Sequence, residues 1–491
     1  MTEFSANAVT SGYFAPQRFE ADVFDCDVIG KIPKDLNGGF VRVGGDWLYP
    51  SNFRDDSPFH EDGYVSLFRF RDGVVDYKAR WVRTEHYLNN QKAKRQLYGY
   101  YRNPFTDDAS VRDPSRPYRR TVSNTAPLVH AGRLFATKED GLPTELNPKT
   151  LETIGPHDFH GHYKSQTFTA HSKIDPVSGE MITYGYEATG LCTDDLFLYV
   201  IDRHGKVKRE IRLKVPYVSM VHDIAITQRH IVIPVYGYVT SLERLKAGKI
   251  HWGWDSARPS YVGILPRDGE ARDIRWFKGP ERATVHTFNA RTEGNKVILD
   301  APIFDSNPFP FFPNVDGSPW DTQKGRATVR RQTFDLDSSS DTFTEEVLFP
   351  TKVIDLARVD TRYLSLPTRY GFLHYADASR PLDEARTGLT RGRAANCYAR
   401  LDFATGKMSS YFAGETHTLQ ECCFVPRKRT GAEGDGYLIG VANNLAEARS
   451  ELVIADAQNL EAGDIARAIL PFRSNVQVHG IWADDADLAF G

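Results

Sequence analysis

Short apolar runs with strand-like alternation recur along almost the whole chain. GYVSLFRF, VVDYKARWVR, LFLYVID, HIVIPVYGYV, KVILDAPIF, NCYARLDF, GYLIGVA and SELVIADA are rich in Val, Ile, Phe and Tyr, residues that fit a pleated, half-buried surface. Turn signals such as RDG, RHG, PVSG, ATG and GDG separate them, so many neighbouring runs predict hairpins. Amphipathic helical periodicity is rare and short, with HYLNNQKAKRQLYGY and LERLKAG as its candidates. Many short strands joined by tight turns predict an all-β chain, either a β-propeller or a very large barrel. Blades of about 40–50 residues would set several around a ring, but no repeat of the WD or kelch kind fixes their number. No Pro/Gly/Ser-rich linker divides the chain. This predicts a single domain over residues 1–491, its first ~10–25 residues forming an extended arm.

Composition narrows the function classes. Hydrophobic residues make up 41% of the 491 positions, enough for a sizeable core, and the 12% of aromatics suits strands. A net charge of −3 leaves no electrostatic footprint for nucleic acid or an anionic membrane. The opening MTEFSANAVTSGYF has neither a basic segment nor an apolar core, so no secretory signal is expected. No apolar run approaches the ~20 residues of a spanning helix. Cys26, Cys192, Cys397, Cys422 and Cys423 are odd in number and include no CxxC. That pattern argues for reduced thiols and a cytoplasmic location, against a disulfide framework or thiolate metal site. KRQL and RKRT read as solvated basic faces. ERLKAGKIHWGWD, with Trp252 and Trp254, reads as an exposed amphipathic turn. A homodimer contact or plain packing suits it better than a membrane, since no polybasic cluster accompanies it. GxSxG, P-loop and GxGxxG motifs are all missing.

Candidate chemistry lies with the histidines. His204 in DRHG is a turn residue, and His60 and His86 read as surface or rim positions. His171 (TFTAHSKIDPVSG), His222 (SMVHDIAIT), His286 (TVHTFNA) and His479 (VQVHGIW) each lie in or beside a β-like run. Singly, each is explained as a hydrogen-bonded core residue. Far apart in sequence, all four could still meet on the axis of a propeller, where distant blades converge. Four imidazoles there would suit iron, copper, zinc or nickel. The segment DSNPFPFFPNVDGSPWD (305–321) is a Phe- and Pro-rich loop. Exposed, it would be sticky; folded inward, it would wall a cavity.

One strand end raises a further question. LFATKEDGLPTE sets Lys138 beside Glu139, and neighbours on a strand point to opposite faces. The two cannot easily pair. Either the strand end is solvated, or each side chain has its own client.

The stretches FHEDGYVSLFRFRDG, YYRNPFTDD, LFATKEDGLPTELNPKTLETIG, TAHSKIDPVSGEM, MVHDIAIT, HTFNA, NPFPFFP, ECCFVPR and VHGIW occur in order from about Gly30 to Trp482. Together they resemble the carotenoid cleavage oxygenases, most narrowly the bacterial lignostilbene α,β-dioxygenases. The resemblance implies a seven-bladed β-propeller carrying one Fe(II) per chain on four histidines, here His171, His222, His286 and His479. It implies that Glu139, Glu421 and a third carboxylate orient three of them. The third position falls on Asp355, where relatives carry Glu, one methylene longer. Thr125 matches a residue near the iron's sixth position. Lys138 and Tyr101 match a pair that grips the substrate's 4-hydroxyl, and Phe59 matches an aromatic of the cleft. Phe309, Phe311 and Phe312 are expected to complete a flat apolar slot. The implied reaction is O2-dependent cleavage of the central C=C bond of a 4-hydroxystilbene into two aromatic aldehydes, with phenolic stilbene and O2 as its small-molecule partners. Cleavage of a carotenoid or apocarotenoid is the alternative, and a metal-free protein-binding scaffold is a third reading.

Overall fold

The computed structural model describes residue 4 and residues 10–488. The start of the expected N-terminal arm, residues 1–3 and 5–9, lies outside the described residues, as does most of the stretch read for a secretory signal. The eight runs quoted above all form strands. The described strands build seven sheets of four or five strands and one two-stranded hairpin. Every pairing within them is antiparallel, so each blade is a meander joined by tight turns.

The blades follow the chain. Blade 2 comprises Ala126–His130, Arg133–Thr137, Thr144–Leu146 and Thr153–Pro156. Blades 3, 4 and 5 open with Lys173–Ile174, Ala225–Ile226 and Asn289–Glu293. Blades 6 and 7 open with Asp355–Val359 and His417–Pro426. Blade 1 is composite. Its body is Gly38–Asp46, Asp62–Arg71 and Val74–Trp81, with Ala21–Val23 on one edge and the C-terminal strand His479–Asp484 on the other. The N-terminal strand Asp27–Gly30 instead caps the far edge of blade 7, pairing with Asp464–Ile469. Both chain ends thus complete a blade begun elsewhere, which closes the ring and covers two sheet edges.

The inner strands of blades 6 and 7, 7 and 1, 1 and 2, and 4 and 5 pack against one another. The site is positioned at the starts of these inner strands. His171, His222 and His286 precede the opening strands of blades 3, 4 and 5, and His479 begins the inner strand of blade 1.

Helices are short. Glu85–Ala93 has Thr84 as its N-cap and ends where Lys94 turns left-handed at φ 56°, and Leu242–Lys246 follows Ser241. Both were legible; a third, Glu384–Thr387, was not. All five cysteines are free. No helix among the described residues is long and apolar enough to cross a membrane.

Two expectations are corrected. His60 and His86 are not rim residues but are buried. His60 Nδ1 lies 2.7 Å from Asp56 and His86 Nδ1 2.8 Å from Asp62, so each imidazole brings its own carboxylate inside. Nor is the Trp252–Trp254 turn exposed. Trp252 is 0% and Trp254 1% accessible, and Trp254 Nε1 donates to Glu281 at 2.8 Å. The turn is core packing, which removes the reason to read it as a homodimer contact.

Candidate metal centre and substrate cleft

His171, His222, His286 and His479 converge at the centre of the ring. Nε2 of His171 lies 3.0 Å from Nε2 of His222, which lies 3.2 Å from Nε2 of His286. The ring centroid of His479 is 4.8 Å from that of His171 and 4.7 Å from that of His286. Ligand atoms of His171, His286 and His479 all fall within 4.8 Å of one another, a group able to hold a metal ion. Two bonds of about 2.1 Å at a right angle would set nitrogens about 3 Å apart, so the spacing fits a shared cation. His479 Nε2 is buried with no hydrogen-bond partner among the described residues. Burial, then the neighbouring imidazoles, hold His171 and His286 well below the usual histidine pKa, and burial lowers His479. Neutral imidazole is the form that binds metal.

Three of the four have a carboxylate behind Nδ1, the arrangement that fixes tautomer and ring orientation. Each carboxylate comes from a blade that supplies no histidine. Glu139, past the second strand of blade 2, lies 2.5 Å from His222. Its other oxygen accepts from the Tyr186 hydroxyl at 2.9 Å. Asp355, in blade 6, lies 2.7 Å from His286, and Glu421, in blade 7, lies 2.8 Å from His479. Glu421 also accepts two bonds from Arg358, at 2.8 and 2.6 Å, and one from Gly480 N at 2.8 Å. Against the cost of burial, Arg358 and His479 hold Glu421 at about 2. Asp355 has no such cation, and burial pushes its carboxyl well above the usual range. Both carboxylates sit where the ladder slips register, between Asp355 and Arg358 and between Leu419 and Cys422. Such bulges re-aim side chains.

Lys138 and Glu139 do serve separate clients. The strand ends at Thr137, and both following residues are buried, at 2% and 4% exposure, so the solvated strand end is excluded. Lys138 Nζ donates to the Phe59 carbonyl at 2.9 Å and to Asn124 Oδ1 at 2.8 Å, neither of them a histidine or its carboxylate. It lies 4.9 Å from the Tyr101 ring centroid and 5.1 Å from that of Phe59. Burial lowers its pKa to about 8, against the opposing pull of Asp140, Glu139 and Glu61. Tyr101 is buried, and its hydroxyl has no hydrogen-bond partner among the described residues. Arg102, at φ 55°, is buried, pairs with Glu187 and donates to the Glu139 carbonyl at 2.8 Å.

The 305–321 loop turns only partly inward: Asn307 and Phe312 are buried, while residues 315–319 are exposed. The rings of Phe309, Phe311 and Phe312 lie 5.5, 5.1 and 6.1 Å from Phe59, and Tyr101 lies 6.0 Å away. Thr125 precedes the opening strand of blade 2, its hydroxyl donating to Asn124 Oδ1 at 3.2 Å. Sequence reasoning missed Asn124, Arg358 and Tyr186. It also missed the ion pair of Lys173 with Asp223, 2.7 Å long, although Asp223 directly follows His222. Arg358 lies three residues after Asp355, the only hint of it in the sequence.

A family model described as retinal pigment epithelial membrane protein (RPE65) matches residues 14–484. The chain belongs to this family, the carotenoid cleavage oxygenases. It is 41% identical to the lignostilbene-α,β-dioxygenase isozyme III of Sphingomonas paucimobilis over 99% of each chain. It is 40% identical to an isoeugenol monooxygenase of Pseudomonas putida over 96% of this chain and 97% of that one. The crystal structure of the Pseudomonas brassicacearum lignostilbene dioxygenase superposes with a TM-score of 0.93 at 38% identity, covering 98% of this chain and 99% of that one. The seven-bladed propeller and the oxygenase class expected from the sequence both stand.

Proposed function

We propose that the chain is an Fe(II)-dependent dioxygenase that cleaves the central C=C bond of a 4-hydroxystilbene with O2 to give two aromatic aldehydes. One observation carries the reading. Beside a cluster of aromatic rings, Lys138 has engaged two of its three N–H bonds, and the buried Tyr101 hydroxyl makes no hydrogen bond among the described residues. Both unspent donors suit a phenolic oxygen.

His171, His222, His286 and His479 are the proposed ligands, with Glu139, Asp355 and Glu421 holding three of them. Fe(II) bound there would supply O2 activation. The remaining tasks fall to the chain. Phe59, Phe309, Phe311 and Phe312 form an edge-to-face aromatic cluster, a surface chemically suited to flat aryl rings. Lys138 and Tyr101 donate to the 4-oxygen. A phenol ionises near pH 10 in water, and a buried ammonium favours the phenolate. The phenolate oxygen is conjugated with the para alkene, so its ionisation raises electron density in the bond to be cleaved.

The isoeugenol-acting relative at 40% identity favours a second substrate, a 4-hydroxyphenyl propene. It offers the same phenol and conjugated alkene without a second ring.

The test is O2 uptake and aldehyde formation by iron-loaded protein, comparing 4-hydroxystilbene, its 4-methoxy analogue and isoeugenol. Cleavage of the phenolic stilbene alone supports the primary reading. Faster turnover of isoeugenol supports the second. Equal cleavage of the phenol and its methyl ether removes Lys138 and Tyr101 from the chemistry.

A further inference from the structure

Asn124 is buried, with 4% exposure, and all four of its amide contacts are to cleft residues or their neighbours. Its Nδ2 donates to the Phe59 carbonyl at 3.1 Å and the Glu61 carbonyl at 2.8 Å. Its Oδ1 accepts from Lys138 Nζ at 2.8 Å and from Thr125 Oγ1 at 3.2 Å. The Phe59 carbonyl is shared, since Lys138 Nζ donates to it as well. Asn124, Lys138 and the backbone of Phe59 therefore close a small hydrogen-bonded ring. Thr125 joins it from the side nearest the opening strand of blade 2.

The backbone is built for this. Ser123 is left-handed, at φ 50°, and its hydroxyl lies 2.7 Å from that of Thr144. Gly63 allows the close approach. A Cβ there would meet the Val122 carbonyl at 2.3 Å and that of Ser123 at 2.7 Å. Strained and tightly approached backbone of this kind persists where the surrounding structure demands it.

We propose that Asn124 is a positioning residue: its carboxamide fixes the Lys138 ammonium with one N–H free to face the phenolic oxygen, and ties the Thr125 hydroxyl to the same frame. This deepens the functional reading above and rests on it. A methionine or leucine at 124 could fill the space but could not accept from Lys138. Without that acceptor the ammonium keeps only the Phe59 carbonyl, and its third bond loses its direction.

The charged groups around Lys138 are Glu61, Glu139, Asp140 and Arg102. Changing residue 124 leaves all four in place, so the effect of the amide can be isolated. Two variants should move Lys138 in opposite directions. Asn124→Ala removes a neutral acceptor of the ammonium and should lower its pKa. Asn124→Asp sets an anion at 2.8 Å and should raise it.

The experiment measures the alkaline limb of kcat/KM on 4-hydroxystilbene in both variants, and the Lys138 Nζ titration by 15N-lysine NMR with Lys138→Arg to assign the resonance. The expected result is a fall in kcat/KM of about 10-fold or more in Asn124→Ala at unchanged iron content, with limbs displaced downwards in Ala and upwards in Asp. Limbs and Nζ titrations unmoved in both variants overturn the proposal. If Asn124→Ala does not fold, the near-isosteric Asn124→Asp decides it by the sign of its shift alone. If the wild-type protein cleaves no phenolic alkene, the functional reading fails, and the Nζ titration still decides whether Asn124 holds Lys138.

Discussion

Asp355 Oδ2 lies 2.7 Å from His286 Nδ1 although its side chain is one methylene shorter than the Glu expected there by resemblance. The backbone is irregular at this point. Leu356 is left-handed, at φ 62°, and the strand slips register between Asp355 and Arg358. A bulge re-aims the side chains it carries.

This fit predicts the behaviour of two variants. Asp355→Ala leaves His286 without its partner and should weaken iron binding about 10- to 100-fold. Asp355→Glu should not improve on wild type, because the bulge is already set for the shorter chain. Its iron affinity is expected to fall. Competition with a chelator of known affinity measures both, and tighter binding by Asp355→Glu would show that the bulge does not compensate.

Lys138→Met should retain iron and lose activity. The ammonium bonds to Phe59 and Asn124 rather than to the histidines, so metal content should stay at wild-type level. A charge-assisted hydrogen bond contributes about 1.5–3 kcal/mol, so kcat/KM on 4-hydroxystilbene should fall at least 10-fold and by as much as about 100-fold. Iron analysis beside steady-state kinetics checks this. Loss of iron together with activity would move Lys138 from the substrate to the metal.

The architecture was legible because strand alternation and turn residues are local signals. The blade number came only with the resemblance and not from the pattern, since no repeat marks the blades and blade 1 is assembled from both ends of the chain. The four histidines could be singled out because each stands in or beside a β-like run, and the resemblance then joined them in one site. Asn124 could not, because its significance lies in contacts to Phe59, Glu61 and Lys138, up to 65 residues away. His60 and His86 were misread for a similar reason. A histidine in a polar stretch looks exposed until its carboxylate is found. Asp56 sits one helical turn from His60, but Asp62 is 24 residues from His86.

The pH profile follows from Lys138. Its pKa is lowered to about 8, burial outweighing the attraction of Asp140 and Glu139. The protonated form is the donor, so it is present below that value and lost above it. In the free enzyme, kcat/KM for a phenolic stilbene should therefore decline as pH rises through about 8. Lys138→Arg should shift this limb to higher pH, since guanidinium stays charged throughout. A limb that stays put in Lys138→Arg would assign it to another group.

Two histidines, His222 and His86, should respond to removal in opposite ways. His222 serves the converging nitrogens, with Nε2 3.0 Å from that of His171. His222→Ala should abolish stoichiometric iron binding while the metal-free propeller still unfolds cooperatively. His86 belongs to a separate pair, its Nε2 3.3 Å from that of His60 and its Nδ1 2.8 Å from Asp62. That contact carries a hydrogen bond only when one imidazole supplies an Nε2–H and the other a lone pair. His86→Ala leaves the buried carboxylate of Asp62 without its partner. Stranding a buried charge costs about 3–5 kcal/mol, so this variant should lose stability and keep its iron when it folds. Iron analysis and denaturant unfolding, run on both variants, separate the roles. Iron lost from His86→Ala at unchanged stability would make the His60–His86 pair part of the metal site.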